Sequence, residues 1–214
     1  ACQRFGQMSR RVRGLFISID QKDRIREILL NWPEKEVRFT VVTDGGRILG
    51  LGDLGVCGLG IPIGKLALYT GCAGVPPEYT LPVVLDTGTN NEGFLNDPLY
   101  PGLRHKRITG KEYDDFIEAF VEAINDVFPK ICIQWEDFQG SDAIRILSRY
   151  RDKICTYNDD IQGTAAIAAA GFISSSRLMG VPFSEQRFLF LGAGAAAFGI
   201  ADLLVKKFQK EGLS

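Results

Sequence analysis

The sequence predicts an α/β fold with a parallel sheet, and three observations carry that prediction. Strand-like runs at 15–19, 37–43, 81–86, 131–135, 154–157 and 187–191 alternate with stretches of helical periodicity. The first strand, helix and strand occupy about 30 residues, the spacing of a βαβ unit, which predicts parallel pairing. Two acidic pairs, Glu136-Asp137 and Asp159-Asp160, each stand where a strand-like run ends and a helix is due. At 214 residues and 45% apolar content, the chain can bury a sizeable core in one or two domains.

Each element has its own local signal. Leu15-Phe16-Ile17-Ser18-Ile19 reads as a strand, and Asp20 can cap the helix that follows. That helix places Ile25, Ile28, Leu29 and Trp32 on one face and stops at Pro33. The run 37–43 is rich in β-branched residues and reads as a second strand. Asp44-Gly45 is a turn signal, and ten of the 24 glycines fall between Gly45 and Gly74. Such density implies tightly packed backbone or left-handed turns. Pro62 suits the first turn of a helix carrying Lys65, Leu66, Leu68 and Tyr69. A polar loop spans 87–101. Thr109 and Glu112 form a capping-box pattern. Behind it, Tyr113, Phe116, Ile117, Phe120, Val121, Ile124 and Val127 make a core stripe. A short helix covers 143–150. After Asp160 comes a helix of small residues, Ala165 to Gly171, that can lie close to a neighbouring backbone or ligand, and Gly180 stops it. The last strand runs into Gly192-Ala193-Gly194-Ala195-Ala196-Ala197-Phe198-Gly199 and a helix from about 195 to 210. A boundary falls near 180–184.

Composition excludes some function classes. The net charge of −1 gives no bulk electrostatic case for nucleic acid or an anionic membrane. No uninterrupted apolar run reaches the roughly 18 residues that cross a bilayer. Cys2, Cys57, Cys72, Cys132 and Cys155 are scattered and odd in number, so they read as free thiols in a reducing compartment rather than a zinc site. The single histidine, His105, rules out a His-based metal site or triad and reads as a surface residue. Arg4, Arg10, Arg11 and Arg13 read as a solvated arm. The chain opens at Ala1 rather than Met, which suggests that a natural N-terminus precedes it.

Three groups carry chemistry. Gly192-x-Gly194-x-x-x-x-Gly199 follows a strand and opens a helix, like the turn on which a dinucleotide pyrophosphate meets a helix N-terminus. Its spacing is one residue longer than GxGxxG, with Ala197 at the usual third glycine. The residue that would read the ribose 2′ position falls at or beyond Ser214. Glu136, Asp137 and Asp160 could form an all-oxygen site for Mg²⁺ or Mn²⁺, but on the residues alone helix caps and surface pairs come ahead of a metal site. Neighbours on a regular strand point to opposite faces, so Glu136 and Asp137 can share an ion only if the strand has already ended. Lys65, from its place in a first helical turn, reads as solvent-facing.

Taken together the blocks resemble the malic enzymes. The resemblance lies in Asp159-Asp160-Ile161-Gln162-Gly163-Thr164-Ala165, Thr43-Asp44-Gly45 with Arg47 to Gly55, Gly60-Ile61-Pro62-Ile63-Gly64-Lys65-Leu66, Trp135-Glu136-Asp137-Phe138 and Phe190-Leu191-Gly192-Ala193-Gly194. These five blocks are collinear over nearly the whole chain. The resemblance implies oxidative decarboxylation of (S)-malate to pyruvate and CO₂, with NAD or NADP reduced and Mg²⁺ or Mn²⁺ bound. It implies a substrate and metal domain over 1–180 and the start of a Rossmann-type cofactor domain over 181–214, with Gly192, Ala193, Gly194, Ala195 and Gly199 at the cofactor. Carried over residue by residue, Glu136, Asp137 and Asp160 match the metal ligands. Arg47 matches the arginine that grips a malate carboxylate. Lys65 matches the general base and Asp159 its acidic neighbour, which replaces the solvent-facing reading of Lys65. The family's proton-donating tyrosine would precede Ala1. Tyr157 stands for a family phenylalanine, and Ala195 for an acidic residue of many members. An incomplete, inactive fragment of an intracellular homo-oligomeric enzyme is the resulting expectation. The alternatives are another 2-hydroxy-acid or amino-acid dehydrogenase, which would lack the acidic corners, and a non-catalytic binding or oligomerisation module, indifferent to loss of Asp160 or Lys65.

Overall fold

The structure, a computed structural model, describes residues 13–212. Arg4, Arg10, Arg11 and Cys2 lie outside the described residues, and Arg13 is exposed. The chain divides into one compact unit that ends at Phe138 and another that begins at Gln139.

The first unit is built on β1 (Leu15–Ser18), β2 (Phe39–Thr43), β3 (Thr80–Asp86) and β4 (Cys132–Trp135). They lie in the order β1-β3-β2-β4, and each pair is parallel. Every residue of β3 is buried, as suits a central strand covered on both faces. The parallel sense expected for the first strand–helix–strand unit holds, but its two strands are not neighbours. Val83 of β3 sits between Leu15 and Val42, so β3 is inserted between them.

Helices cover both faces. Asp20 does not cap the first. The Ser18 hydroxyl accepts from the Asp20 N–H, a 3-10 stretch follows over Ile19–Arg24, and α1 (Ile25–Leu30) comes only after it. A second 3-10 stretch, Gly55–Leu59, leads into α2 (Gly60–Ala73). The helix therefore starts earlier than Pro62 suggests, and Lys65 falls in its second turn. The joined segment Gly55–Ala73 is long and apolar enough to cross a membrane by length and composition, although Lys65 interrupts its apolar run. Here Val56, Cys57 and Leu59 pack with Ile48, Val84 and Tyr100 in a buried cluster. The loop expected over 87–101 holds a short helix, α3 (Glu92–Leu95). α4 (Gly110–Val127) buries Tyr113, Phe116, Ile117, Phe120, Val121 and Ile124 as expected. Thr109 takes the extended cap position, but its side chain makes no capping bond. Phe120 meets Trp135 of β4 edge-on, with ring centroids 6.3 Å apart.

The second unit contains α5 (Gly140–Tyr150), β5 (Thr156–Asn158), a π-helical turn over Asp159–Gly163, α6 (Thr164–Met179) and α7 (Ala195–Lys210). Gly180 ends α6 in the left-handed conformation. Phe183 and Phe188 cluster with Phe208 of α7, and Phe172 of α6 packs on Phe188. The apolar run 187–191 does not form a strand. Within this unit, among the described residues, no strand lies beside it to complete a backbone ladder.

Candidate active site

The C-terminal ends of parallel strands are where an α/β sheet opens a crevice, because the crossovers leave from there. In the first unit, β2, β3 and β4 all deliver carboxylates to that end: Asp44, Asp86 and Glu136-Asp137. A buried arginine from a distant loop ties the first of these down. Arg107, with its side chain 4% exposed, donates to both oxygens of Asp53 (Nε–Oδ2 2.7 Å, Nη2–Oδ1 3.0 Å). It also lies 3.2 Å from Asp44 Oδ2 and donates to the Asp44 carbonyl and the Thr87 hydroxyl. Tyr113 donates to Asp44 Oδ2 at 3.0 Å. Burial alone would push the Asp53 carboxyl up. The Arg107 guanidinium, the Asn90 N–H and the Thr89 hydroxyl outweigh it and hold the carboxyl below its ordinary range. Arg107 shows the converse: burial would lower it, and Asp44 and Asp53 raise it.

This anchorage fixes the glycine-rich loop that carries Arg47. Gly45 lies so close to Gly55 that a Cβ would stand 1.9 Å from the Gly55 carbonyl oxygen. The backbone at Arg47 is pinned from the other side, its N–H donating to the Asp137 carbonyl at 3.0 Å. The Leu49 N–H donates to Asp137 Oδ1 at 3.4 Å. Arg47 itself is exposed at the loop surface, where its guanidinium can reach an anionic ligand.

Glu136 and Asp137 are 6% and 5% exposed. The condition for their sharing an ion is met. β4 ends at Trp135, and Asp137 has φ +57, so the alternation of a regular strand no longer applies. Lys65 reaches across from α2, and its Nζ lies 2.8 Å from Glu136 Oε1. A cation thus already stands against this buried carboxylate, and its hard-oxygen donors suit Mg²⁺ or Mn²⁺. The other oxygen, Oε2, accepts from Gln134 Nε2 at 2.6 Å. The Gln134 Oε1 in turn accepts a hydrogen bond from the Tyr69 hydroxyl.

The second unit holds the other acidic pair. Asn158 is fully buried, and its Oδ1 accepts from the Ile161 N–H at 2.9 Å, which caps the π-helical turn. Asp159 folds back over that turn, with Oδ1 2.0 Å from where a Cβ on Gly163 would be. Asp160 is half-buried. Such one-turn π-helices recur at functional positions. Gly192, Ala193 and Gly194 are exposed in the turn before α7, Ala195 opens that helix, and no atom would meet a Cβ at Gly192 or Gly194 within 4 Å. Gly199 differs from them. It is buried, and a Cβ there would stand 2.1 Å from the Ile161 carbonyl oxygen. Its role is to let α7 approach the acidic turn. Within each unit taken alone, no three Asp, Glu, His or Cys side chains among the described residues form a metal-binding group.

Sequence reasoning assigned no role to Arg107, Asp53, Gln134 or Tyr69. Two signals were available: Tyr69 stands four residues after Lys65 on one helix, and Gln134, in β4, stands two residues before Glu136, which follows the strand end. His105 is half-buried, with its carbonyl held by the Thr89 N–H.

Comparison with known proteins meets this geometry from another side. Residues 1–151 match the family description "Malic enzyme, N-terminal domain", and residues 161–214 match "Malic enzyme, NAD binding domain". The chain is 54% identical over its full length to the "NAD-dependent malic enzyme" of Salmonella agona and to that of Salmonella arizonae, and spans 38% of the length of each. Among solved structures it is similar to the malic enzyme of Entamoeba histolytica, with a TM-score of 0.62 and 27% identity over 88% of this chain and 34% of that one. The NAD-dependent malic enzyme of Thermotoga maritima shares the fold at TM-score 0.58 and 23% identity, over 87% of this chain and 44% of that one. With buried paired carboxylates at the end of β4, a lysine held against them and more than half its length within the first of these family descriptions, the chain belongs to the malic enzyme family.

Proposed function

We propose that this chain supplies the substrate and metal side chains of an enzyme that oxidatively decarboxylates (S)-malate to pyruvate and CO₂ with reduction of NAD. The observation that carries the reading is the Lys65–Glu136 pair at the mouth of the sheet. A lysine amine and a buried carboxylate stand within 2.8 Å on separate elements, beside the loop that presents Arg47. Arg47 binds a malate carboxylate through its planar guanidinium. In its neutral amine form Lys65 Nζ takes the proton of the malate 2-hydroxyl, a role that Lys65 and the acidic Asp159 share by resemblance to the family. Glu136, Asp137 and Asp160 would hold the divalent ion, which when bound supplies Lewis acidity at the 2-oxygen. Residues 181–214 begin the cofactor-binding part, with Gly192 and Gly194 leaving room for a pyrophosphate at the start of α7. NAD rather than NADP is supported by the name of the 54% identical relatives. Among the described residues, the exposed thiols of Cys72 and Cys155 fit a reducing compartment.

The test is malate-dependent NADH formation with Mn²⁺ by the complete gene product. Lys65→Ala is expected to lower kcat by at least about 100-fold, the usual worth of a general base, with little change in malate KM. Arg47→Ala should act chiefly on KM. Full activity in both variants would sink the assignment. A companion measurement is Mn²⁺ binding by water-proton relaxation, with and without malate. Binding that strengthens with malate and is lost in Asp160→Ala supports the three-carboxylate site, and binding indifferent to the substitution counts against it.

A further inference from the structure

Lys65 and Tyr69 lie one turn apart on the same face of α2, and Gln134 and Glu136 lie on the same side of the chain at the end of β4. Between these two pairs runs a continuous set of hydrogen bonds. The carboxylate of Glu136 can only accept, so the contact at 2.6 Å fixes the Gln134 amide with its nitrogen toward Glu136. Its oxygen then faces Tyr69, and the Tyr69 hydroxyl must donate. Gln134 is 1% exposed, so no bulk water competes for the amide. The Tyr69 ring is braced in turn by Phe39 of β2, edge-on at 6.1 Å between centroids. Trp135, between the two polar residues, faces the opposite way, toward Phe120 of α4. The polar set therefore belongs to the α2 side of the sheet alone.

We infer that Gln134 and Tyr69 are positioning residues for the metal and proton-transfer groups: Tyr69 orients the Gln134 amide, which holds Glu136 Oε2 and leaves Oε1 aimed at Lys65 or at a cation in its place. The inference rests on the reading of Glu136 as a metal ligand. A carboxylate with one oxygen tied in this way keeps a single orientation whether its other oxygen meets an ammonium group or a metal ion. Such outer partners of a ligand typically change metal affinity by about 10- to 100-fold when removed.

The experiment is Mn²⁺ affinity of the complete gene product, measured by electron paramagnetic resonance of the free ion, with a far-UV melt on each sample. Gln134→Met is expected to weaken Mn²⁺ binding by about 10- to 100-fold. Tyr69→Phe removes one hydroxyl and should weaken it about fivefold, the worth of one hydrogen bond. In the double variant Tyr69→Phe should add nothing to Gln134→Met, because in this inference the Tyr69 hydroxyl acts through the amide. Melts should stay near that of the parent. If Gln134→Met fails to fold, Tyr69→Phe alone decides. The inference is overturned if Glu136→Gln loses Mn²⁺ while both other variants bind it normally, or if their effects multiply independently. If Glu136→Gln itself binds Mn²⁺ normally, the metal-ligand reading falls and takes this inference with it.

Discussion

At the scale of single residues, Arg107 is the side chain on which the shape of the site depends most. It neutralises the buried Asp44 and the half-buried Asp53, and in doing so joins the ends of β2 and β3 to the glycine-rich loop. A methionine of similar length would keep the packing and take the Arg107 charge away from one buried and one half-buried carboxylate. Arg107→Met is therefore expected to destabilise the first unit by about 3–5 kcal/mol at neutral pH, measured by urea unfolding. The pH dependence follows from the depressed Asp53 carboxyl. Its folded value lies below its unfolded one, so its stabilisation is full above the ordinary carboxylate range and is lost as pH falls through the folded value. In the variant the Arg107 contribution is gone, and burial, still opposed by the Asn90 N–H and the Thr89 hydroxyl, moves Asp53 toward the protonated form relative to the parent. The gap between parent and variant should thus narrow on acidification, and a gap that widens would argue against this electrostatic account.

At the scale of elements, periodic patterns transmitted well and pairwise polar chemistry did not. The α4 stripe was legible because six buried apolar residues repeat at helical spacing. The strands were legible from their β-branched runs, but the insertion of β3 between β1 and β2 was not, since sequence order does not encode spatial order. The Glu136-Asp137 corner was legible as an acidic pair at a strand end. Its fixing by Gln134 was not, because a lone buried glutamine looks like any other strand residue until its partner is placed beside it. Gly199 illustrates a motif residue with a second purpose: read as part of a dinucleotide turn, it also closes the contact of α7 with the turn that holds Asp159 and Asp160. Gly199→Ala should accordingly push α7 away from Ile161 and cost about 1–3 kcal/mol, as overpacking does. Faster amide exchange over residues 159–163 than in the parent would confirm this, and unchanged exchange would return Gly199 to a ligand-only role.

At the scale of the whole molecule, the two units differ in how completely they cover their apolar surface. In the first, β3 is buried at every residue and the α4 stripe is sealed against the sheet. In the second, Leu189 is 97% exposed, Leu191 is fully exposed, and Phe190 and Phe198 are each exposed nearby. This run has the composition of a buried strand, yet no strand of its own unit pairs with it among the described residues. Its backbone donors and acceptors are accordingly left to other partners. An extended apolar segment in that state is a template for association with another chain. The 214-residue chain prepared alone is therefore expected to self-associate in a concentration-dependent way, visible by light scattering. Leu189→Lys with Leu191→Lys should suppress it, because a charge at each exposed position opposes strand addition while touching none of the buried contacts of the unit. Phe190→Lys should do less, since that ring is more than half covered. If the double lysine variant scatters as the parent does, the association surface lies elsewhere. The exposed apolar residues of α6, Ile167 at 79% and Leu178 at 89%, would then be the next positions to charge.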